Sequence, residues 1–134
     1  MMRIGFYGSD ADIDLWRAAL KTRLPSLQIA RLLDDAGQQC DVALVWAPPP
    51  GALSDCANLR GIIMQGQGVD HMMRDETVPR SVPLVRLVDP DMSNALSHWA
   101  ILCALDFWRD ADHYRTAQAD RRWDPRPQRP ATGG

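Results

Sequence analysis

Apolar residues fall into short runs along this chain, separated by glycine, proline and aspartate, until one long apolar stretch appears near the carboxyl end. Arg3-Ile4-Gly5-Phe6-Tyr7-Gly8 reads as a first strand closed by glycine. Asp10, Asp12 and Asp14 follow, carboxylates that suit the positive N-terminus of a helix. In that helix Ile13, Trp16, Leu20 and Leu24 recur at three-to-four-residue spacing, a stripe that packs on a sheet until Pro25 marks the end. Leu27 to Leu33 forms a plausible second strand. Asp41-Val42-Ala43-Leu44-Val45-Trp46 is almost continuously apolar, as expected of a third strand buried on both faces. Pro48-Pro49-Pro50-Gly51 breaks it, and Leu53 to Leu59 can form a short helix. Gly61-Ile62-Ile63-Met64 is a fourth strand and Val82 to Leu87 a fifth, with Pro83 marking an edge or strand-end position.

Strand and helix signals alternating in this way predict a doubly wound α/β fold, because parallel neighbours need crossover connections. The expectation is a flavodoxin-like parallel sheet of about five strands with a long C-terminal helix. From about Asn94 to Trp123 the chain has neither proline nor glycine, which predicts a helix of up to about 30 residues, roughly 45 Å long. Its first half, Trp99 to Trp108, is apolar almost all the way round. Either this helix is central to its own core, or a second subunit or domain covers it; the second reading predicts a homodimer through the helix. After Arg109 the sequence turns polar, and Asp124-Pro125-Arg126-Pro127-Gln128-Arg129-Pro130 has the composition of a stiff, extended linker.

A length of 134 residues suits one domain, and 46% hydrophobic with 24% charged residues is ordinary for a soluble globular protein. The net charge of −2 gives no electrostatic case for nucleic acid, leaving a small-molecule or protein partner. Cys40, Cys56 and Cys103 are odd in number, irregularly spaced and in or near apolar segments, as buried free thiols are. A reducing compartment, the cytoplasm, fits them. No basic stretch followed by an apolar run opens the chain and no apolar run reaches the roughly 18 residues of a membrane span, so neither secretion nor membrane insertion is expected.

Chemistry is concentrated in one segment. Met64-Gln65-Gly66-Gln67-Gly68-Val69-Asp70 follows a strand and precedes a helical turn, so its backbone N–H groups can face an anion at the carboxyl end of the sheet. A plain tight turn is the competing reading. It is not the dinucleotide fingerprint, since His71 stands where a third glycine is required. Trp46, ending another strand, either walls the same cleft or packs in the core. His71, His98 and His113 are too scattered for a metal site, and Cys103 and His98 are five apart, off one helical face. No serine has a nucleophile-elbow setting, and no carboxylate pair is positioned by a recognisable motif. A phosphoacceptor receiver would need an acidic residue where Trp46 stands, and a flavin phosphate loop would not be acidic like Gly8-Ser9-Asp10-Ala11-Asp12.

Ala43-Leu44-Val45-Trp46-Ala47-Pro48-Pro49, Leu59-Arg60-Gly61-Ile62, Gly66-Gln67-Gly68-Val69-Asp70-His71 and Val82 to Asp89 follow one another in an order and spacing that resembles the N-terminal half of D-isomer-specific 2-hydroxyacid dehydrogenases, closest to the glyoxylate/hydroxypyruvate reductase A branch. The likeness extends through Tyr114-Arg115 and Trp123. It implies that residues 1–123 are a substrate domain and 124–134 a linker toward a Rossmann domain that binds NADPH or NADH. The substrate implied is a small 2-keto acid, its carboxylate held by backbone N–H groups of Gln67 and Gly68, with Trp46 lining the pocket and Leu96 beside the nicotinamide. The family's catalytic arginine, glutamate and histidine would lie in the further domain, so this chain is expected to be inactive alone. Gln67 replaces a residue that is usually small, and His98 stands where glutamate is common. The rival expectation is a non-catalytic anion-binding or dimerisation module.

Overall fold

The computed structural model describes residues 1–128 and Pro130. Contacts divide the chain into two compact units, Met1–Val88 and Asp89–Gly134.

The first unit holds β1 (Arg3–Tyr7), α1 (Asp10–Lys21), β2 (Gln28–Arg31), α2 (Asp35–Gln38), β3 (Val42–Val45), β4 (Gly61–Met64), α3 (Asp70–Arg74) and β5 (Leu84–Arg86). All neighbouring strands pair in parallel, in the order β2-β1-β3-β4-β5, which is the flavodoxin-like order. β3 is central, and Ala43, Leu44 and Val45 are buried as the apolar run predicts. Successive side chains point to opposite faces: Ala43 and Val45 join Leu32, Cys40, Leu53, Cys56, Ile62, Met64 and Met72 in one core. Leu44 joins Ile4, Phe6 and Ile13 of α1 in the other, with Trp16 and Leu20 packed against it. Ser9 caps α1 by accepting from the Asp12 N–H at 3.2 Å. The helix ends at Lys21, so Leu24, the last member of the predicted stripe, lies beyond it and is exposed. Pro83 precedes edge strand β5, the position expected for a residue with no N–H to give.

The predicted helix over Leu53 to Leu59 is instead a chain of turns. Ser54 N–H donates to Gly51 O, Cys56 to Leu53 O and Leu59 to Cys56 O, each three residues back, and the left-handed Gly51 (φ 83°) opens the series. Leu53 and Cys56 still reach the core. The short α2 was not expected. It brings Gly37 so close to β2 that an added Cβ would lie 1.8 Å from the Arg31 carbonyl oxygen.

The second unit corrects the predicted 30-residue helix. α4 spans Pro90–Trp108, and α5 spans Ala111–Ala119. The start is earlier than Asn94 because Asp89 is an N-cap, accepting from the Asp91 N–H at 3.0 Å, and proline is well suited to the first helical position. The break needs no glycine: Asp110 adopts the left-handed conformation (φ 52°, ψ 38°), which aspartate tolerates better than most side chains. No residue of α4 is buried, and Cys103, expected to be a buried thiol, is exposed on it. After α5 the chain is extended but tied down. Tyr114 Oη accepts from the Arg126 N–H at 3.0 Å and from Gln128 Nε2 at 2.9 Å, while His113 Nε2 lies 2.9 Å from Asp124 O. Arg109 adds a bond to Gln128 Oε1 at 3.2 Å. The linker residues Ala131 to Gly134 lie outside the described ones.

Candidate functional site

In an open parallel sheet, ligands bind outside the carboxyl ends of the strands, near the point where strand order reverses. Here that point lies between β1 and β3, and the segment after β4 runs beside it. Main-chain bonds knit these ends together: Trp46 N–H donates to Tyr7 O at 2.9 Å, Gln65 N–H to Val45 O at 3.0 Å, and Leu87 N–H to Gly66 O at 3.2 Å.

Gln65 adds a side-chain brace. Its Nε2 donates to Tyr7 O at 3.1 Å, and its Oε1 accepts from Trp16 Nε1 at 3.1 Å, joining α1, β1 and the end of β4. The glycine segment therefore leaves the sheet from a fixed point.

Gly66 is buried, and its lack of a side chain has a specific use. A Cβ there would fall 2.1 Å from Cζ3 of Trp46, with two more ring atoms at 2.9 and 3.0 Å. The indole thus lies directly on the Gly66 backbone. Its other neighbour is His71, at a ring-centroid separation of 6.0 Å and an interplanar angle of 71°, an edge-to-face pair. Trp46 is 51% exposed and so is not a core residue, and the next residue, Ala47, is held in a left-handed conformation (φ 44°).

Gln67 is half-buried and Gly68 exposed, both in the irregular stretch before α3. The Arg86 guanidinium donates to Gln67 O at 3.4 Å, which brings a positive charge to the rim of this loop. Asp70 contributes the opposite sign, and Arg74 offsets it across 3.8 Å. The structure thus brings Trp46 against Gly66, at the start of the Gly66–Gly68 segment. Leu96 sits in the second unit, on α4, and is 63% exposed.

Three participants were not anticipated. Gln65 looked like loop, although a polar residue closing an apolar strand is a signal of a brace. Arg86 was read only as strand. His71 was weighed only as a metal ligand; its Nε2 is buried without a hydrogen-bond partner and its ring meets Trp46. Among the described residues no group of three or more His, Cys, Asp or Glu could hold a metal ion. An open depression of about 450 Å³ lined by Met1, Met2, Asp41, Val42 and Arg60 flanks the opposite, amino-terminal edge of the strands. No helix among the described residues is long and apolar enough to cross a membrane.

Cys40 and Cys56 meet in the core, and burial pushes both thiols up, Cys56 to about 12. Neither is a nucleophile in this setting. Asp75 is held below the usual carboxylate range, first by the Thr77 hydroxyl and N–H and also by the Gly51 N–H, fastening the loop after β3 to the end of α3.

Fold and loop together define a flavodoxin-like α/β domain with a glycine segment packed under a tryptophan at the carboxyl edge of its sheet. The chain is homologous to glyoxylate/hydroxypyruvate reductase A: it is 34% identical to the Yersinia enterocolitica enzyme over 129 residues, which is 92% of this chain and 41% of that relative. It spans about two-fifths of the length of the curated relatives it matches. Among solved structures, a D-isomer-specific 2-hydroxyacid dehydrogenase from Xanthobacter autotrophicus, in complex with NADPH and MES, matches with a TM-score of 0.74 and 30% identity, covering 96% of this chain and 42% of that one. The NADPH-dependent glyoxylate/hydroxypyruvate reductase from Sinorhizobium meliloti, bound to NADP and sulfate, gives 0.71 and 27%, covering 97% and 42%. No family model matches the chain.

Proposed function

We propose that this chain is the substrate-binding part of an NAD(P)H-dependent 2-keto acid reductase acting on glyoxylate- or hydroxypyruvate-type acids. The observation that carries the reading is the Gly66–Gly68 segment at the carboxyl edge of the sheet, with its tryptophan wall and Arg86 on its rim. In this reading the N–H groups of Gln67 and Gly68 hold the acid's carboxylate, and Trp46 limits the room around its carbonyl carbon. The homology to glyoxylate/hydroxypyruvate reductases supports it.

The same loop does not suit a dinucleotide phosphate. It has His71 in place of a third glycine, and only the five-residue α3 follows it. Residues 1–123 therefore act as the substrate domain, with Leu96 offering an apolar contact to the nicotinamide, and residues 124–134 lead toward the domain that holds NADPH or NADH. When bound, the cofactor supplies the hydride. This chain's residues bind and orient the keto acid and exclude water from one side of it; the proton donor is not among them. The apolar α4 would be covered in a homodimer, in the cytoplasm.

Titrating the ¹⁵N-labelled chain with glyoxylate, and with oxalate as a non-reducible mimic, tests the site. The expected result is saturable movement of the Gln67 and Gly68 amides and the Trp46 indole, with a dissociation constant near 1 mM, about 4 kcal/mol of binding. Amides that stay still while other parts of the chain respond would refute the placement.

A further inference from the structure

The position of His71 relative to the loop goes beyond carboxylate binding. The glycine segment begins at Gly66 and ends where α3 starts at Asp70, so His71 is the first residue past its far end and within the first turn of α3. The Trp46 indole touches both limits. It lies on Gly66, where a Cβ would be 2.1 Å away, and meets His71 edge-to-face at 6.0 Å. One ring from the residue just after β3 therefore reaches both ends of the loop.

Trp46 needs such a bracket. It is half exposed and followed by a left-handed alanine, just past the end of β3. Gly66 supports the ring from one side only. His71 is the residue that pairs with it from another element, and no hydrogen bond diverts the buried Nε2.

We propose that His71 is a positioning residue that holds the Trp46 indole against Gly66, so that the wall of the loop is formed before any ligand arrives. The link from this wall to keto-acid binding rests on the function proposed above; the holding of Trp46 does not. Rigidity of this kind favours binding by lowering the ordering cost at the moment of association.

The test uses the ¹⁵N-labelled 134-residue chain. Without ligand, His71→Ala is expected to broaden or shift the Trp46 indole Nε1 resonance while those of Trp16 and Trp99 stay in place. His71→Phe, which keeps an aromatic edge, should restore the parent signal. With oxalate, His71→Ala should weaken binding about two- to tenfold, the range of an edge-to-face aromatic pair, and His71→Phe should stay within about twofold of the parent. A Trp46 signal unchanged in His71→Ala, or equally disturbed in both variants, overturns the proposal. If the indole responds as expected but the parent chain binds no oxalate, His71 still positions Trp46, and it is the carboxylate site that fails.

Discussion

Adding one carbon at position 66 is the sharpest probe of the site. In Gly66→Ala the new methyl would fall 2.1 Å from a Trp46 ring carbon, so the two groups cannot keep their places. The Gly66 backbone is bonded to Leu87 and does not adopt the left-handed conformation, so the indole is the part that moves. A tryptophan side chain covers up to roughly 200 Å². At 51% exposure about half of that, ~100 Å², is lost from contact when the ring swings out; at about 25 cal/mol per Å² the cost is near 2.5 kcal/mol. The urea midpoint of Gly66→Ala should fall accordingly. In a Trp46→Ala background the clash is gone, and the same change should be neutral or stabilise by about 0.4–1 kcal/mol through the unfolded chain. Gly37→Ala supplies the contrast. There the collision is with the Arg31 backbone, which cannot rotate away, so the fold should be lost outright. An equal cost for Gly66→Ala with and without Trp46 would refute the reasoning.

The other predictions use different parts of the molecule. Thiol alkylation at pH 8 should mark Cys103 rapidly and leave Cys40 and Cys56 until the chain unfolds, as read by mass spectrometry. Because Cys56 is raised to about 12 in the folded chain, folding keeps its proton where the unfolded thiol, near 8.5–9, loses it. Its contribution to stability is therefore complete below that lower value and fades as pH rises toward 12; urea midpoints unchanged across that window between the parent and Cys56→Ala would count against it. Tyr114→Phe should remove the acceptor for the Arg126 N–H and speed hydrogen exchange there, with exchange in β3 unaffected. Gln65→Leu should cost about 1–3 kcal/mol, since it strands the partly buried Trp16 indole N–H, and Trp16 fluorescence reports whether that bond is lost.

Much of the fold was legible because sheet burial leaves its mark on composition. The continuous apolar β3 announced a strand covered on both faces, and Pro83 announced an edge. What escaped reading was set by local hydrogen bonding. Leu53 to Leu59 has the apolar spacing of a helix, but three-residue turns satisfy its backbone once Gly51 turns left. The split of the long helix depends on Asp110 taking a conformation that leaves no proline or glycine in the sequence. The start lies earlier than Asn94 because Asp89 caps the helix and proline suits its first position.

At the loop, spacing showed which residues meet but not what each meeting is for. Glycine in Gly66-Gln67-Gly68 suggested exposed N–H groups; at Gly66 the missing side chain instead makes room for the indole of Trp46, just past β3, a long-range contact that nothing local encodes. The two uses are compatible only in a division of labour. Gly66 seats the wall, while the half-buried Gln67 and exposed Gly68 remain beside the Arg86 guanidinium. A side chain at Gly68 would meet no more than Asp70 Oδ1 at 3.5 Å, an ordinary contact. Gly68→Ala should therefore fold as well as the parent chain and, if the loop grips a carboxylate through its backbone, weaken oxalate binding only as far as the methyl crowds the ligand. Unfolding by Gly68→Ala, or weaker oxalate binding when Gly66→Ala is added to Trp46→Ala, where no indole remains to be displaced, would show that this assignment of roles is reversed.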